Sequence, residues 1–313
     1  MAMQYKYSIV VPVFNEEKVL NELYRSLTIV MNKLRESYEI IFINDGSIDN
    51  SLEIMEKLHS KDKRIKIIDF SRNYGHQIAI TAGIDYATGE AIVTIDADLQ
   101  DPPKVIPELV KKWKEGYDVV YGVRKKREGE NFFKKVTASI FYKFLNKITD
   151  INMPLDAGDF RLIDRKIANN LKTIREKNRY VRGLTSWIGF RQIGVLYDRE
   201  KRFAGYTKYP LGKMLKLALD AVFSFSNYPL KIATYIGFLI SGLSFLYLIY
   251  VLILKIFMDV TIQGWASTIV AILFLGGVQL ICIGIIGEYI GRIGEEVKKR
   301  PLYIIKGIID DDK

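Results

Sequence analysis

The segment Ala91-Ile-Val-Thr-Ile95, continued by Asp96-Ala-Asp-Leu-Gln-Asp-Pro-Pro103, sets the architecture expected of this chain. A short apolar run that ends in a turn reads as a buried strand. The acidic cluster then falls at the strand's carboxyl end, where open α/β sheets bind ligands. Asp96 and Asp98 offer hard oxygen ligands at a spacing that suits Mg²⁺ or Mn²⁺ carrying a diphosphate. The same residues also make an acidic turn into a helix started by Pro102 and Pro103. The pair alone does not choose between these, and the neighbouring segments have to.

Working outward, Tyr7 to Val13, Glu39 to Asn44, Ile65 to Phe70 and Asp118 to Gly122 are further β-branched or aromatic runs. Amphipathic stretches such as Val19 to Leu34 and Ser51 to Leu58 separate them, which is the pattern of a doubly wound, mainly parallel α/β sheet. Four segments that follow strands are polar together: Asn15-Glu16-Glu17, Asn44 to Ser47, Ser71 to Gly75 and Asp96 to Asp98. Asp45, held by a tight turn at Gly46, is suited to accept a hydrogen bond from a base or ribose, while Ser47 or Asp49 is suited to cap the next helix. Neither a P-loop nor a G-x-G-x-x-G fingerprint is present, which argues against a P-loop nucleotidase and a dinucleotide-dependent oxidoreductase. A metal-held diphosphate on the Asp96/Asp98 turn is the economical way left to bind a nucleotide.

The chain has 313 residues and a formal net charge of +10, which suits nucleic acid or an anionic membrane. The membrane is favoured, because Ala233 to Leu254 and Ala266 to Gly287 carry no charge and each reaches about 33 Å as helix, against a hydrocarbon core of about 30 Å. Cations cluster beside these runs and form no aromatic-interleaved groove, so no nucleic-acid partner is expected. Lys213, Lys216 and Lys231 precede the first run and Arg292, Lys298, Lys299 and Arg300 follow the second, while Phe257 to Trp265 has no Lys or Arg. Two spans with both termini cytoplasmic are therefore expected, at the cytoplasmic membrane. Met1 to Phe14 holds only a short apolar strand, so no cleaved leader is expected. The lone Cys282 fits a reducing compartment. Gly287 with Gly291, and Gly237 with Ser241, either pack the two helices or reflect the ordinary glycine content of membrane helices.

Taken together, Val11 to Glu17, Asn44 to Ser47, Asp96 to Pro103 and Gly158-Asp-Phe-Arg161 resemble the motifs of family 2 glycosyltransferases with the GT-A fold. More narrowly the whole chain is similar to the polyisoprenyl-phosphate glycosyltransferases, which include dolichol-phosphate mannose synthase and bacterial enzymes that glucosylate undecaprenyl phosphate. The resemblance implies inverting, metal-dependent transfer of a hexose from a nucleotide-sugar donor to a lipid phosphate on the cytoplasmic leaflet. UDP-glucose and undecaprenyl phosphate are the favoured substrates, and GDP-mannose with dolichyl phosphate the alternative. It places base and ribose contacts at Pro12, Asn15, Glu16 and Asp45, metal and diphosphate contacts at Asp96, Asp98 and Gln100, and a catalytic carboxylate at Asp159 beside Arg161. It also suggests a homo-oligomer such as a tetramer. The expected domains are a catalytic unit over 1–210, an amphipathic juxtamembrane helix over 211–228, a membrane hairpin over 229–291 and a cytoplasmic tail over 292–313.

The acceptor side rests on charge. Arg124 to Arg127 follows the fifth strand, and Asn131 to Thr149 sets apolar residues at helical spacing among Lys134, Lys135, Lys143 and Lys147, as in a membrane-surface helix that meets a lipid phosphate. Arg124, Arg127 and Lys135, with Arg202 and Lys208 from the cationic stretch Arg199 to Tyr209, are the expected phosphate contacts. A phosphate monoester has a second pKa of about 6 and scarcely needs a base. Asp159 is therefore expected to pair with Arg161 or another cation, or to face the reacting sugar, rather than to remove a proton. Two rivals remain: a polysaccharide synthase, disfavoured by the absence of Q-x-x-R-W, and a sugar-nucleotide-binding membrane regulator without turnover.

Overall fold

The computed structural model describes residues 5–125, 157–200, 226, 228–258 and 264–311. Arg127, Lys135, Arg202, Lys208, the basic stretch from Asn131 to Thr149 and nearly all of the expected juxtamembrane helix lie outside the described residues. The described chain falls into two compact units, one of residues 5–125, 157–200 and 301–311 and the other of 226, 228–258 and 264–300.

The first unit is built on one sheet of eight strands in the order β7-β5-β6-β4-β1-β2-β3-β8. Strands β1 (Tyr7–Val13), β2 (Tyr38–Asn44), β3 (Ile65–Phe70) and β4 (Ala91–Thr94) run parallel. Strand β6 (Ala157–Asp164) is antiparallel to both β4 and β5 (Val119–Arg124), while β7 (Gln192–Tyr197) runs parallel to β5. Every residue of β1 and β2 is buried, as expected where helices cover both faces of parallel strands. Helix α1 (Leu20–Leu34) contributes Leu20, Leu23, Leu27 and Met31, one helical face, to this core. Helix α3 (His76–Tyr86) lies so close that a Cβ on Gly83 would stand 2.1 Å from Val10 Cγ1. Pro12 is tolerated inside β1 because the pairing with β4 already ends at Val10 and Thr94.

The expected five strands all form, with β6, β7 and β8 (Ile305–Ile309) added. The last of these corrects the expected tail over 292–313. Ile305–Ile309 pairs antiparallel with β3, which would otherwise be an open edge. Tyr303 stacks on Phe70 with centroids 5.1 Å apart, and its hydroxyl donates to Asp85 at 2.7 Å. Lys66 pairs with Asp310 at 2.8 Å and Lys63 with Asp311 at 2.6 Å. An apolar, β-branched run meeting an open edge is the physical reason for the difference.

The second unit holds two long helices, Tyr228–Met258 and Trp265–Val297. Within them Tyr228–Val251 and Thr268–Val297 contain 18-residue stretches with mean hydropathies of 1.9 and 2.7, and are long and apolar enough to cross a membrane. Phe238, Leu273 and Leu280 are at least 70 % exposed, an apolar surface that water alone would not favour. Among the described residues nothing lies within 4 Å of a Cβ built on Gly237, Gly287 or Gly291.

Candidate active site

The carboxyl ends of the parallel strands carry loops bonded to one another. Asn15 takes a positive φ of 54°; its N–H donates to Ser47 Oγ at 3.0 Å and its Oδ1 accepts from Ile48 N–H at 2.9 Å. Glu16 N–H donates to Ser51 Oγ at 2.9 Å, and Asp49 accepts from the N–H groups of Glu17 and Ser51. Ser47 therefore ties two loops together, and Asp49 supports the start of α2 (Ser51–Lys61). Asp45 is buried, and its carboxylate accepts from Tyr74 N–H at 2.7 Å and Gly75 N–H at 3.0 Å. It thus holds the loop after β3. Burial raises its pKa, opposed by those two N–H groups. Gly46, at φ 68°, lies so near this loop that a Cβ would come within 2.5 Å of Asn73 N.

Beyond β4, the turn from Asp96 to Asp101 gathers carboxylates. Asp96 is part-exposed, Asp98 is buried and accepts from Gln100 N–H at 3.1 Å, and Asp101 is fully buried. Leu99 at φ 59° makes the turn. Burial and then the neighbouring Asp101, Asp159 and Asp98 push the Asp96 carboxyl up to about 6, against the pull of His76. Asp101 Oδ1 accepts from the Tyr197 hydroxyl, and its Oδ2 has no hydrogen-bond partner among the described residues. Three carboxylates on one short turn, one of them with an orphaned buried oxygen among the described residues, fit a divalent cation. Among the described residues no three His, Cys, Asp or Glu side chains are placed to hold one. Asp96 and Asp98 would therefore share the ion with donor phosphate oxygens and water, as Mg²⁺ commonly requires. Gln100 bonds elsewhere here: its Oε1 accepts from Arg199 Nη2 at 2.7 Å and its carbonyl from Glu200 N–H at 2.9 Å.

Because β6 runs antiparallel to β4, its opening residues lie beside β4's carboxyl end, which brings Asp159 to the turn. Asp159 is buried and gripped by the Arg182 fork, Nε to Oδ1 at 2.8 Å and Nη2 to Oδ2 at 2.9 Å. Gln77 Nε2 donates to the same carboxylate at 3.1 Å, and His76 Nε2 stands 3.4 Å from Asp159 and 3.3 Å from Asp96. Burial opposes the charge, but Arg182 and His76 outweigh it and hold Asp159 well below the usual carboxylate range. Burial likewise resists charging His76, yet Asp96 and Asp159 push it up to about 9. Arg161 is not the partner of Asp159: it donates to Thr185 Oγ1 and, at 3.0 Å, to Gly158 O. Burial lowers its pKa to about 10. Arg124 reaches Tyr197 Oη at 3.4 Å and Asp101 Oδ1 at 3.8 Å.

The structure thus brings Asp96, Asp98, Asp101, Asp159, Arg124 and Arg161 to one end of the sheet, with Pro12 near the end of β1 and Asn15, Glu16 and Asp45 in the loops that follow β1 and β2. Sequence reasoning missed His76, Gln77 and Arg182. His76 had a signal, being one of only two histidines and directly following the polar Ser71–Gly75 segment. Arg182 had none, since nothing local links it to Asp159.

A doubly wound sheet with acidic residues grouped at the carboxyl ends of its parallel strands, and a buried carboxylate beside them, has its ligand-binding crevice there. The chain belongs to glycosyl transferase family 2, whose profile matches residues 8–172, and it is a glycosyltransferase. The GtrB C-terminal hairpin matches residues 228–293. The chain is similar to the uncharacterized glycosyltransferase YkcC of Bacillus subtilis (strain 168), 58 % identical over 98 % of this chain and 95 % of that protein. It is 44 % identical to the SfII prophage-derived bactoprenol glucosyl transferase of Shigella flexneri, over 96 % of this chain and 97 % of that one. The prophage bactoprenol glucosyl transferase homolog of Escherichia coli (strain K12) is 43 % identical, over 97 % and 99 %.

Proposed function

We propose that this glycosyltransferase moves glucose from UDP-glucose to a polyisoprenyl phosphate of the undecaprenyl type, with inversion, at the cytoplasmic face of the membrane. The observation that carries the proposal is the crowding of Asp96, Asp98, Asp101 and Asp159 at the sheet's carboxyl edge, in a chain that continues into two helices long enough to span a bilayer. The near full-length similarity to bactoprenol glucosyl transferases supports the acceptor and the sugar. The Lys and Arg residues that flank the spans support the orientation.

In this reading the loops that carry Asn15, Glu16 and Asp45 bind the nucleoside. Asp96 and Asp98 hold a divalent ion that, when bound, offsets charge on the diphosphate. The lipid phosphate is already mostly a dianion near pH 7, given a second pKa of about 6. The protein's task is to bring that dianion in line with the anomeric carbon beside another anion. In this reading Arg124 offsets that repulsion. Asp159, held ionised, is a poor proton acceptor and suits a fixed negative charge facing an oxocarbenium-like sugar.

Turnover of purified protein in detergent against UDP-glucose, UDP-N-acetylglucosamine and GDP-mannose, each with undecaprenyl and dolichyl phosphate, tests the proposal. Glucose transfer to undecaprenyl phosphate is expected to dominate. Transfer from GDP-mannose alone would overturn the donor assignment, and no transfer to any lipid phosphate would overturn the acceptor class.

A further inference from the structure

We propose that Arg182, on the helix Val181–Ile188, is a positioning residue for sugar transfer, acting by clamping the Asp159 carboxylate in one orientation. The inference rests on the transferase reading above and adds a residue from an element that none of the nucleotide and metal motifs includes. The bond is bidentate, Nε and Nη2 of one planar fork to both carboxylate oxygens at 2.8 and 2.9 Å. That geometry fixes the carboxylate plane as well as its charge.

A second tie makes the clamp rigid. Gln77 donates through Nε2 to Asp159 Oδ2 at 3.1 Å and accepts through Oε1 from Val181 N–H at 2.9 Å. One side chain of α3 thereby joins β6 to the residue preceding Arg182. Thr185 completes the frame, donating to the Arg182 carbonyl at 2.9 Å while it accepts from Arg161. Arg161 and Arg182 therefore have different tasks although both are near Asp159, and only Arg182 touches its carboxylate. Asp159 is 6 % exposed, so removal of its partner leaves a buried charge free to turn or to take up a proton. The loops proposed to hold the nucleoside follow β1 and β2, whereas Arg182 sits on a separate helix and bonds Asp159. Loss of Arg182 should accordingly slow transfer without weakening donor binding.

The test compares Arg182→Ala, Arg182→Lys, Asp159→Asn and the Arg182→Ala/Asp159→Asn double variant as full-length protein in detergent. Turnover is read on lipid-phosphate transfer or, where wild type performs only that, on hydrolysis of the nucleotide-sugar. Arg182→Ala should lower kcat about 100-fold, the scale of a misplaced reacting group, with donor KM and donor Kd within about threefold of wild type. Arg182→Lys should recover part of the rate, because it restores charge without the fork. The double variant should be no more than about threefold slower than Asp159→Asn, because residues that act as one unit are non-additive. Wild-type kcat in Arg182→Ala, parallel losses of kcat and donor affinity, or multiplied losses in the double variant would each overturn the proposal. Should Arg182→Ala lack a melting transition, the cycle is run with Arg182→Lys, where multiplied losses again overturn it. The wild-type acceptor panel judges the function reading separately, since these comparisons are ratios to whatever wild type turns over.

Discussion

Asp159 and Asp98 are both buried carboxylates at the same end of the sheet, yet their surroundings give them different work. Asp159 is bonded by a guanidinium and an amide, and its carboxyl is held well below the usual range, which favours its ionised form. The acidic limb of the rate profile should therefore not be its own. Below about pH 6 the acceptor phosphate gains a proton, and Asp96, pushed up to about 6, does so in the same interval unless a metal ion holds it charged. Asp159→Asn is expected to lower the plateau of kcat and leave that limb in place; a limb that vanishes with the carboxylate would make Asp159 the base. Asp98→Asn should remove metal-dependent binding of the nucleotide-sugar, measured by titration calorimetry with and without Mg²⁺ or Mn²⁺. Retained tight binding with metal would contradict the assignment of Asp98. Sequence alone pointed to all three carboxylates, because their neighbours in the chain advertise them. It could not show what surrounds Asp159, since Arg182 and Gln77 come from distant elements.

Two elements deserve prediction in their own right, the turn after β2 and the returning strand β8. Gly46 sits at φ 68° with backbone of the next loop where a Cβ would go, 2.5 Å from Asn73 N. Gly46→Ala combines an unfavourable backbone conformation with a clash that no rotamer relieves. It should cost about 2 to 4 kcal/mol of stability, read by denaturant unfolding, and should loosen the Tyr74–Gly75 N–H groups from Asp45. Strand β8 covers the edge of β3 and pins it through Tyr303, Lys66 and Lys63. Deletion of residues 302–313 should lower the melting temperature and promote self-association, because an unpaired edge is a template for another chain. Unchanged melting and dispersity would mean that the strand contributes nothing. The apolar run from Leu302 to Ile309 was visible in the sequence, but its partner strand lies more than two hundred residues earlier, and local pattern cannot supply that pairing.

At the scale of the whole chain, a sheet domain and an apolar hairpin are joined twice along the chain, once before the first long helix and once between the second and β8. The protein should remain with membranes through alkaline carbonate washing and require detergent for release. Chelation by EDTA should stop sugar transfer, and Mg²⁺ or Mn²⁺ should restore it; full activity in excess chelator would refute the metal assignment. Composition and periodicity by themselves determined the α/β class, the two apolar helices and the acidic turn after β4, because burial dictates apolar strands and a bilayer dictates long uncharged runs. The family was legible for a related reason, since post-strand motifs are contiguous in the chain. Only the tertiary structure decided that the chain's end closes the sheet, that Gln100 faces Arg199, and that Asp159 answers to Arg182 rather than to Arg161. The first depends on an antiparallel pairing, the second on the return of β7 beside β5 and the third on a helix start, each bringing remote residues within hydrogen-bond reach, and spacing along a sequence does not encode such distances.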